Sequence, residues 1–285
     1  MSFSTREAGR MRNPFESEGQ PDLKNPSLIV GWQEDAGRVG AGVIEYLCDK
    51  IKAKSFCEIG PEGFFSLGGA AIRKDVALFP RCTFYCGDRS DVVLFGGNEP
   101  EFERFRFLHT LLDVAEHHCE AKELFTINGT VSSIAHSSER KILTVCNQSQ
   151  FQNELFGYGP EAMTWEGTPA ISSYLLWVAE RRGIKAASLW TTVPFYLAAV
   201  RDPRAMREIL TFLDRKFTLQ LDLSELDKEI KKQDARIARL RQEDADIDKS
   251  IGLLEARLSL DEQEQMELAK RVTQTIEQDR PSLST

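Results

Sequence analysis

The chain has 285 residues, of which 41% are hydrophobic, and a formal net charge of −8. That length admits one large domain or two small ones, with enough apolar surface for a sizeable core. The acidic balance excludes the basic footprint that nucleic-acid binding requires. No apolar run approaches the roughly 20 residues needed to span a bilayer, so a membrane is not an expected partner either.

Residues 1–24 read as a disordered leader, because Arg, Glu, Ser and Gly alternate there without the apolar core of a secretion signal. The expected location is therefore cytoplasmic. Cys48, Cys57, Cys82, Cys86, Cys119 and Cys146 lie in or beside apolar stretches. Cys82 and Cys86 are the closest pair and have no second pair nearby, so buried reduced thiols are expected, with no metal site and no cofactor.

Ser27 to Trp32 is a short apolar run and reads as a buried strand, followed by a glycine-containing loop from Gln33 to Gly40. Val39, Val43, Ile44, Leu47 and Ile51 then mark one face of a helix, completing the opening of an α/β unit. Strands are expected at Ser55 to Ile59, Cys82 to Cys86, and Asp91 to Phe95 before Gly96. A helix from about Phe102 to His118 precedes a strand from Leu124 to Ile127, closed by Asn128-Gly129. Further strands cover Lys141 to Cys146 and Ala186 to Val193, with a helix from Thr168 to Arg182 between them. Asp202-Pro203 is a helix start, since Asp caps and Pro tolerates the first helical position. Strands alternating with helices predict a mostly parallel central sheet covered by helices over residues 25–220, with an antiparallel excursion around residues 55–86.

The composition changes at Leu221. Leu223, Leu226, Ile230, Gln233, Ile237, Leu240, Asp244, Ile247, Ile251, Leu254 and Leu258 follow a 3.5-residue period between charged flanks, which is coiled-coil patterning. As one unbroken helix this stretch is about 54 Å long. Ser259 and Glu262 have capping-box spacing, so a second helix through Leu268, Val272 and Ile276 is expected, making residues 221–285 a helical hairpin. Such a stripe either folds back on its own domain or binds another chain. A two-position seam needs a facing helix, and the second reading is the favoured one. The apolar members, Leu223, Leu226, Ile230, Ile237, Leu240, Ile247, Ile251, Leu254 and Leu258, form the expected interaction seam.

Catalytic motifs are sparse. The loop from Gly31 to Gly42 lacks both the P-loop and dinucleotide fingerprints, and Glu34 and Asp35 would repel phosphate. His136 lies in a polar loop near serines, where a general base is conceivable only with a placed nucleophile. Glu161 and Glu166 form a candidate carboxylate pair, and Glu166 also suits a helix start. Ligands of open α/β sheets gather beyond the carboxyl ends of strands. Gly31, Gly37, Asn98 and Asn128 are candidate ligand-binding residues on that ground, His136 and Glu166 are candidates by their side-chain chemistry, and no residue is assigned a catalytic role.

Several segments carry a family resemblance in order and spacing. They are Leu28-Ile29-Val30-Gly31-Trp32 with Gly37-x-x-Gly40 and Glu45-Tyr46-Leu47, then Asp91-Val92-Val93-Leu94 before Gly96. Gly157-Tyr158-Gly159-Pro160 follows, and last Ala187-Ser188-Leu189-Trp190 with Val193-Pro194-x-Tyr196. From about Asn25 to Phe217 the chain resembles the proteasome assembly chaperone family, in particular relatives of its second eukaryotic subunit, and a prokaryotic member is indicated. The resemblance implies a phosphorylase/hydrolase-like α/β domain, homo-oligomerisation, and for some archaeal members engagement of proteasome subunits. The ending Pro281-Ser282-Leu283-Ser284-Thr285 lacks the penultimate Tyr of archaeal ring-docking tails, so docking by that route is not expected.

The expected function is thus a non-catalytic, homo-oligomeric assembly-chaperone-like or scaffold protein, whose partners are itself and proteasome-like or other proteins. The alternative is an enzyme or sensor binding a nucleoside-like or phosphorylated small molecule in a phosphorylase-like cleft.

Overall fold

Alternating side chains along the central strands divide the apolar residues between two cores. The computed structural model describes residues 15–17, 23–66, 71–73, 76–87, 91–164, 166 and 168–278. The strands are β1 (Phe15–Ser17), β2 (Ser27–Trp32), β3 (Lys54–Ile59), β4 (Ala71–Arg73), β5 (Val76–Leu78), β6 (Cys82–Cys86), β7 (Val92–Gly97), β8 (Glu123–Ser132), β9 (Ile142–Cys146), β10 (Glu161–Ala162) and β11 (Lys185–Pro194). The helices are α1 (Val39–Lys50), α2 (Arg104–His117), α3 (Ser149–Phe156), α4 (Ile171–Arg181), α5 (Pro203–Phe217), α6 (Ser224–Glu243), α7 (Ala245–Glu255) and α8 (Glu262–Gln278).

Nine strands form one sheet in the order β1-β3-β6-β7-β2-β8-β11-β9-β10, and β4 and β5 form a separate hairpin. The central block β7-β2-β8-β11 is parallel. The expected excursion is antiparallel, as β3, β6 and β7 pair in alternating directions, and β9 returns antiparallel beside β11. Leu28, Val30, Trp32, Val93, Phe95 and Leu124 point to one face, where α2 and α4 supply Phe107, Leu111, Leu175 and Val178. Ile29, Leu94, Phe125, Ile127 and Leu189 point to the other, against α1, α3 and α5.

The C-terminal helices do not form one long rod. Asp244 adopts an extended conformation (φ −140°, ψ 104°), ending α6, and its carboxylate accepts the amides of Asp246 and Ile247 to start α7. The heptad phase survives because the break falls on a seam position. The second capping box is Asp261 with Glu264, not Ser259 with Glu262: each backbone amide donates to the other's carboxylate, at 3.1 and 2.8 Å. The result is three helices.

The expected interaction seam faces inward. Leu226, Ile230, Ile237, Leu240, Ile247, Ile251 and Leu254 are buried, Leu223 is half-buried, and only Leu258 is exposed. Leu226, Ile237, Leu240, Ile251, Leu268, Val272 and Ile276 join the core formed by α1 and α5, so the chain itself supplies the facing surface. The charged flanks are used the same way, with Arg204–Asp234 and Arg207–Asp227 ion pairs at 2.7 Å tying α5 to α6. The polar seam residue Gln233 donates to the Arg201 carbonyl at 3.1 Å.

Candidate functional site

The parallel order reverses between β2 and β8: the chain runs outward from β2 to β7, then crosses to β8. The carboxyl ends of these two strands are where an open α/β sheet places a ligand, and they hold most of the candidate residues.

At this point the turn after β2 closes onto β8. The Asp35 Oδ2 accepts the Gly40 amide at 2.8 Å and the Gly129 amide at 2.7 Å. Its Oδ1 is buried and has no hydrogen-bond partner. Burial raises the Asp35 carboxyl to about 7, against the opposing pull of the two amides and with a smaller push from Glu34. Glycines make the approach possible: a Cβ at Gly129 would lie 1.9 Å from the Ala36 carbonyl oxygen, and one at Gly31 would lie 2.4 Å from that of Gly40. Gly37 takes a left-handed conformation (φ 70°), donates to Ala198 O and accepts from the Asp202 amide. Gly31 and Gly37 therefore serve close packing of backbone segments within the chain.

Asn128 was expected in a strand-ending turn; instead β8 continues to Ser132 because it pairs with β11 over its whole length. Its side chain is buried and donates to Thr126 and Ser188 while accepting from the Ser172 hydroxyl at 2.8 Å. Trp32 Nε1 donates to that same hydroxyl at 3.1 Å. The network ties β2, β8 and β11 to the start of α4 and exposes no ligand-facing group of Asn128.

His136 is buried beside Tyr196. The Tyr196 hydroxyl accepts the His136 amide and also lies in hydrogen-bond contact with the ring Nδ1 at 3.0 Å. Burial lowers the His136 pKa and keeps the ring neutral, outweighing Asp234 and Glu255 from the covering helices. Tyr196 is raised by burial in turn.

Beneath them lies an ion pair that sequence reasoning did not anticipate. Arg140 and Asp202 have 0% side-chain exposure. Arg140 Nε and Nη2 donate to Asp202 Oδ2, and the remaining N–H groups reach the carbonyls of Ala135, His136 and Ser138. Asp202 Oδ1 meanwhile caps α5 through the amides of Arg204 and Ala205. The cap was legible as Asp-Pro; the distant arginine had no local signal.

The other candidates stand apart. Asn98 donates to Glu34 at 2.6 Å on the exposed rim beyond β7. Glu166 is exposed. Glu161, its expected carboxylate partner, instead pairs with Lys141 at 2.9 Å. Cys57, Cys82 and Cys119 are buried, and none of the six cysteines forms a disulfide. Burial raises Cys57 to about 11 and Cys82 and Cys119 to about 12, so these sulfurs stay protonated and unreactive. Among the described residues no group of three or more His, Cys, Asp or Glu could hold a metal ion, and no helix is long and apolar enough to cross a membrane.

The opposite face carries a different feature. On the outer side of α2 and α4, Phe105 meets Tyr174 and Trp177 edge-on at 5.6 and 5.7 Å, and the Arg181 guanidinium lies 4.0 Å over the Trp177 ring. Phe102, Phe105, Tyr174 and Trp177 are 40–53% exposed.

A parallel-centred sheet with a self-filled switch point and an appended helical cover defines the class of α/β protein to which this chain is built. The chain belongs to the PAC2 family, whose family model matches residues 28–241. Among solved structures it is similar to Pyrococcus furiosus PbaB, an archaeal proteasome activator. The TM-score is 0.67 at 20% identity, covering 80% of this chain and 98% of that one. It is also similar to a Mycobacterium tuberculosis protein of unknown function, with TM-score 0.75, 18% identity and coverage of 88% and 92%. A third similar structure is a Mycobacterium tuberculosis proteasome-assembly chaperone homologue, with TM-score 0.67, 19% identity and coverage of 79% and 99%. A search of curated proteins finds no match.

Proposed function

We propose that the chain is a non-catalytic, homo-oligomeric assembly-chaperone-like or scaffold protein that works by protein–protein contact. The observation that carries this reading is the aromatic face of α2 and α4. Trp, Tyr and Arg are the residues that dominate binding energy at interfaces, and large apolar patches on a monomer surface mark interaction sites. The edge of the sheet where a small ligand would sit is instead filled by Asp35, the glycines and the Arg140–Asp202 pair.

In this reading residues 25–220 form the oligomer, and the helices after residue 221 stabilise it by covering its other face. Proteasome-like subunits are the partner class to examine first, because PbaB is a proteasome activator and the mycobacterial relative a proteasome-assembly chaperone homologue. Such a role places the protein in the cytoplasm.

The test is the molar mass of the full chain by light scattering, beside a Phe105→Ser/Trp177→Ser double variant. The expected result is a wild-type mass above one chain, a lower mass for the variant, and unchanged thermal stability. A monomeric wild type, or a variant that keeps the wild-type mass, would overturn the reading. Affinity capture on immobilised proteasome subunits then addresses the partner.

A further inference from the structure

The amino-terminal edge of the sheet, opposite the filled switch point, is open. A groove of about 740 Å³ lies there between the end of α1 and the link from α5 to α6. That volume falls in the range of roughly 300–1,000 Å³ usual for small-ligand sites.

Four of the eight non-glycine residues with positive φ among the described residues line this one groove: Asn25 (103°), Lys52 (52°), Thr218 (54°) and Gln220 (58°). The left-handed region crowds a Cβ against the neighbouring carbonyl oxygen, a strain that glycine avoids. The local geometry explains part of this, since Lys52 and Thr218 follow α1 and α5 where helices commonly end in that conformation. It does not explain why glycine is absent. Thr218 is β-branched, the type least suited to positive φ. The side chains of Asn25, Lys52, Thr218 and Gln220 make no hydrogen bond or ion pair among the described residues. No hydrogen bond or ion pair of these side chains among the described residues offsets that strain.

The charges on the groove decide what it can hold. Lys50 also lines it, but its ammonium is neutralised by Asp49 at 3.3 Å and Glu225 at 2.6 Å. Among the described lining residues one cation, Lys52, and one anion, Asp91, remain. The Asp91 Oδ1 also accepts the Lys24 amide at 2.9 Å, which orients the carboxylate in the groove lining. The carboxamides of Asn25 and Gln220 and the Thr218 hydroxyl are uncharged donors and acceptors, and Phe217 supplies an apolar wall. A single anion or cation would leave one of the two charged groups facing its own sign. A ligand bearing both charges satisfies both.

We propose that this groove binds a zwitterionic amino acid or short peptide, with the ligand carboxylate toward Lys52 and its ammonium toward Asp91. The site is independent of the aromatic face.

The experiment is a thermal-shift screen of the full chain with the L-amino acids and glycyl dipeptides, each beside its N-acetylated, C-amidated form. At least one zwitterion raises Tm saturably, and its blocked form binds at least about tenfold more weakly. Lys52→Ala and Asp91→Asn each weaken binding of that compound by about tenfold or more; Asn keeps an acceptor for the Lys24 amide. Thr218→Gly and Gln220→Gly leave the Tm of the free protein unchanged or higher, because glycine relieves the backbone, yet weaken binding. The proposal is overturned by no shift with any zwitterion at about 10 mM, by equal binding of blocked forms, or by glycine variants that bind like the wild type.

Discussion

Arg140 and Asp202 share one carboxylate oxygen through two N–H bonds of 3.2 and 3.0 Å, with both side chains wholly buried. Removing one partner of a buried pair strands the other charge, so Arg140→Met should destabilise the protein by about 3–5 kcal/mol. Three carbonyls of the 135–138 loop would lose their donor as well. Lys141→Met is the control, since its pair with Glu161 is 61% and 56% exposed and such pairs contribute about 0–1 kcal/mol. Urea denaturation midpoints should separate the two variants clearly. Equal losses would mean that the buried pair is not what holds the loop.

Asp35 makes stability depend on pH in a calculable direction. Its carboxyl lies at about 7 in the folded chain, against an ordinary value of 3.8, chiefly because burial disfavours the charge. Below pH 4 both states hold the proton; between 4 and 7 only the native state holds it. The stabilisation is therefore complete below about pH 4 and is lost as pH rises through about 7. At about 1.4 kcal/mol per unit the change is at most a few kcal/mol. Asp35→Asn should remove this slope while retaining an oxygen for the Gly40 and Gly129 amides. Its absolute stability is not the readout, because the new amide group meets the unpartnered Oδ1 position. The quantity to measure is the wild-type minus variant difference in unfolding free energy across pH 4–8. A difference that does not change over that interval would refute the buried proton.

The helical cover gives a contrast between two seam leucines. Leu254 is 2% exposed within the core, whereas Leu258 is 54% exposed. Leu254→Ala should cost about 2–5 kcal/mol, as large-to-small core changes do, and Leu258→Ala close to nothing. Had the seam joined two chains, both variants would alter the molar mass. The informative pair of measurements is thus denaturation and light scattering on the same samples.

These contrasts show which parts of the molecule local sequence carries. β2 and β7 are legible because Leu28-Ile29-Val30 and Val92-Val93-Leu94 are apolar on both faces, as strands buried in a parallel block must be. The start of α5 is legible because Asp202 and Pro203 solve the end of a helix with their own atoms. The turn signal at Asn128-Gly129 fails because ten ladder partners on β11 outweigh it. The heptad fixes a stripe on the helices, but periodicity does not say whether the covering surface belongs to the same chain. Nor does it reveal the break at Asp244, since one extended residue leaves the phase intact. The Asp35 clamp is the extreme case: its partner Gly129 is 94 residues away.

Glycines supply the last and most local prediction. Gly129→Ala would place a methyl 1.9 Å from the Ala36 carbonyl oxygen and 2.9 Å from its carbon, both backbone atoms. Backbone cannot rotate aside as a side chain can, so the loss should reach about 3 kcal/mol or more. Gly252 lies inside α7 with nothing within 4 Å of a built Cβ. Gly252→Ala should therefore stabilise by about 1 kcal/mol, the helix-propensity difference alone. Thermal denaturation of the two variants tests more than packing. If Gly129→Ala were tolerated, the turn at 34–38 would have to withdraw from β8 at little cost. The switch point would then be able to open, and the filled edge that argues against a ligand there would lose its force.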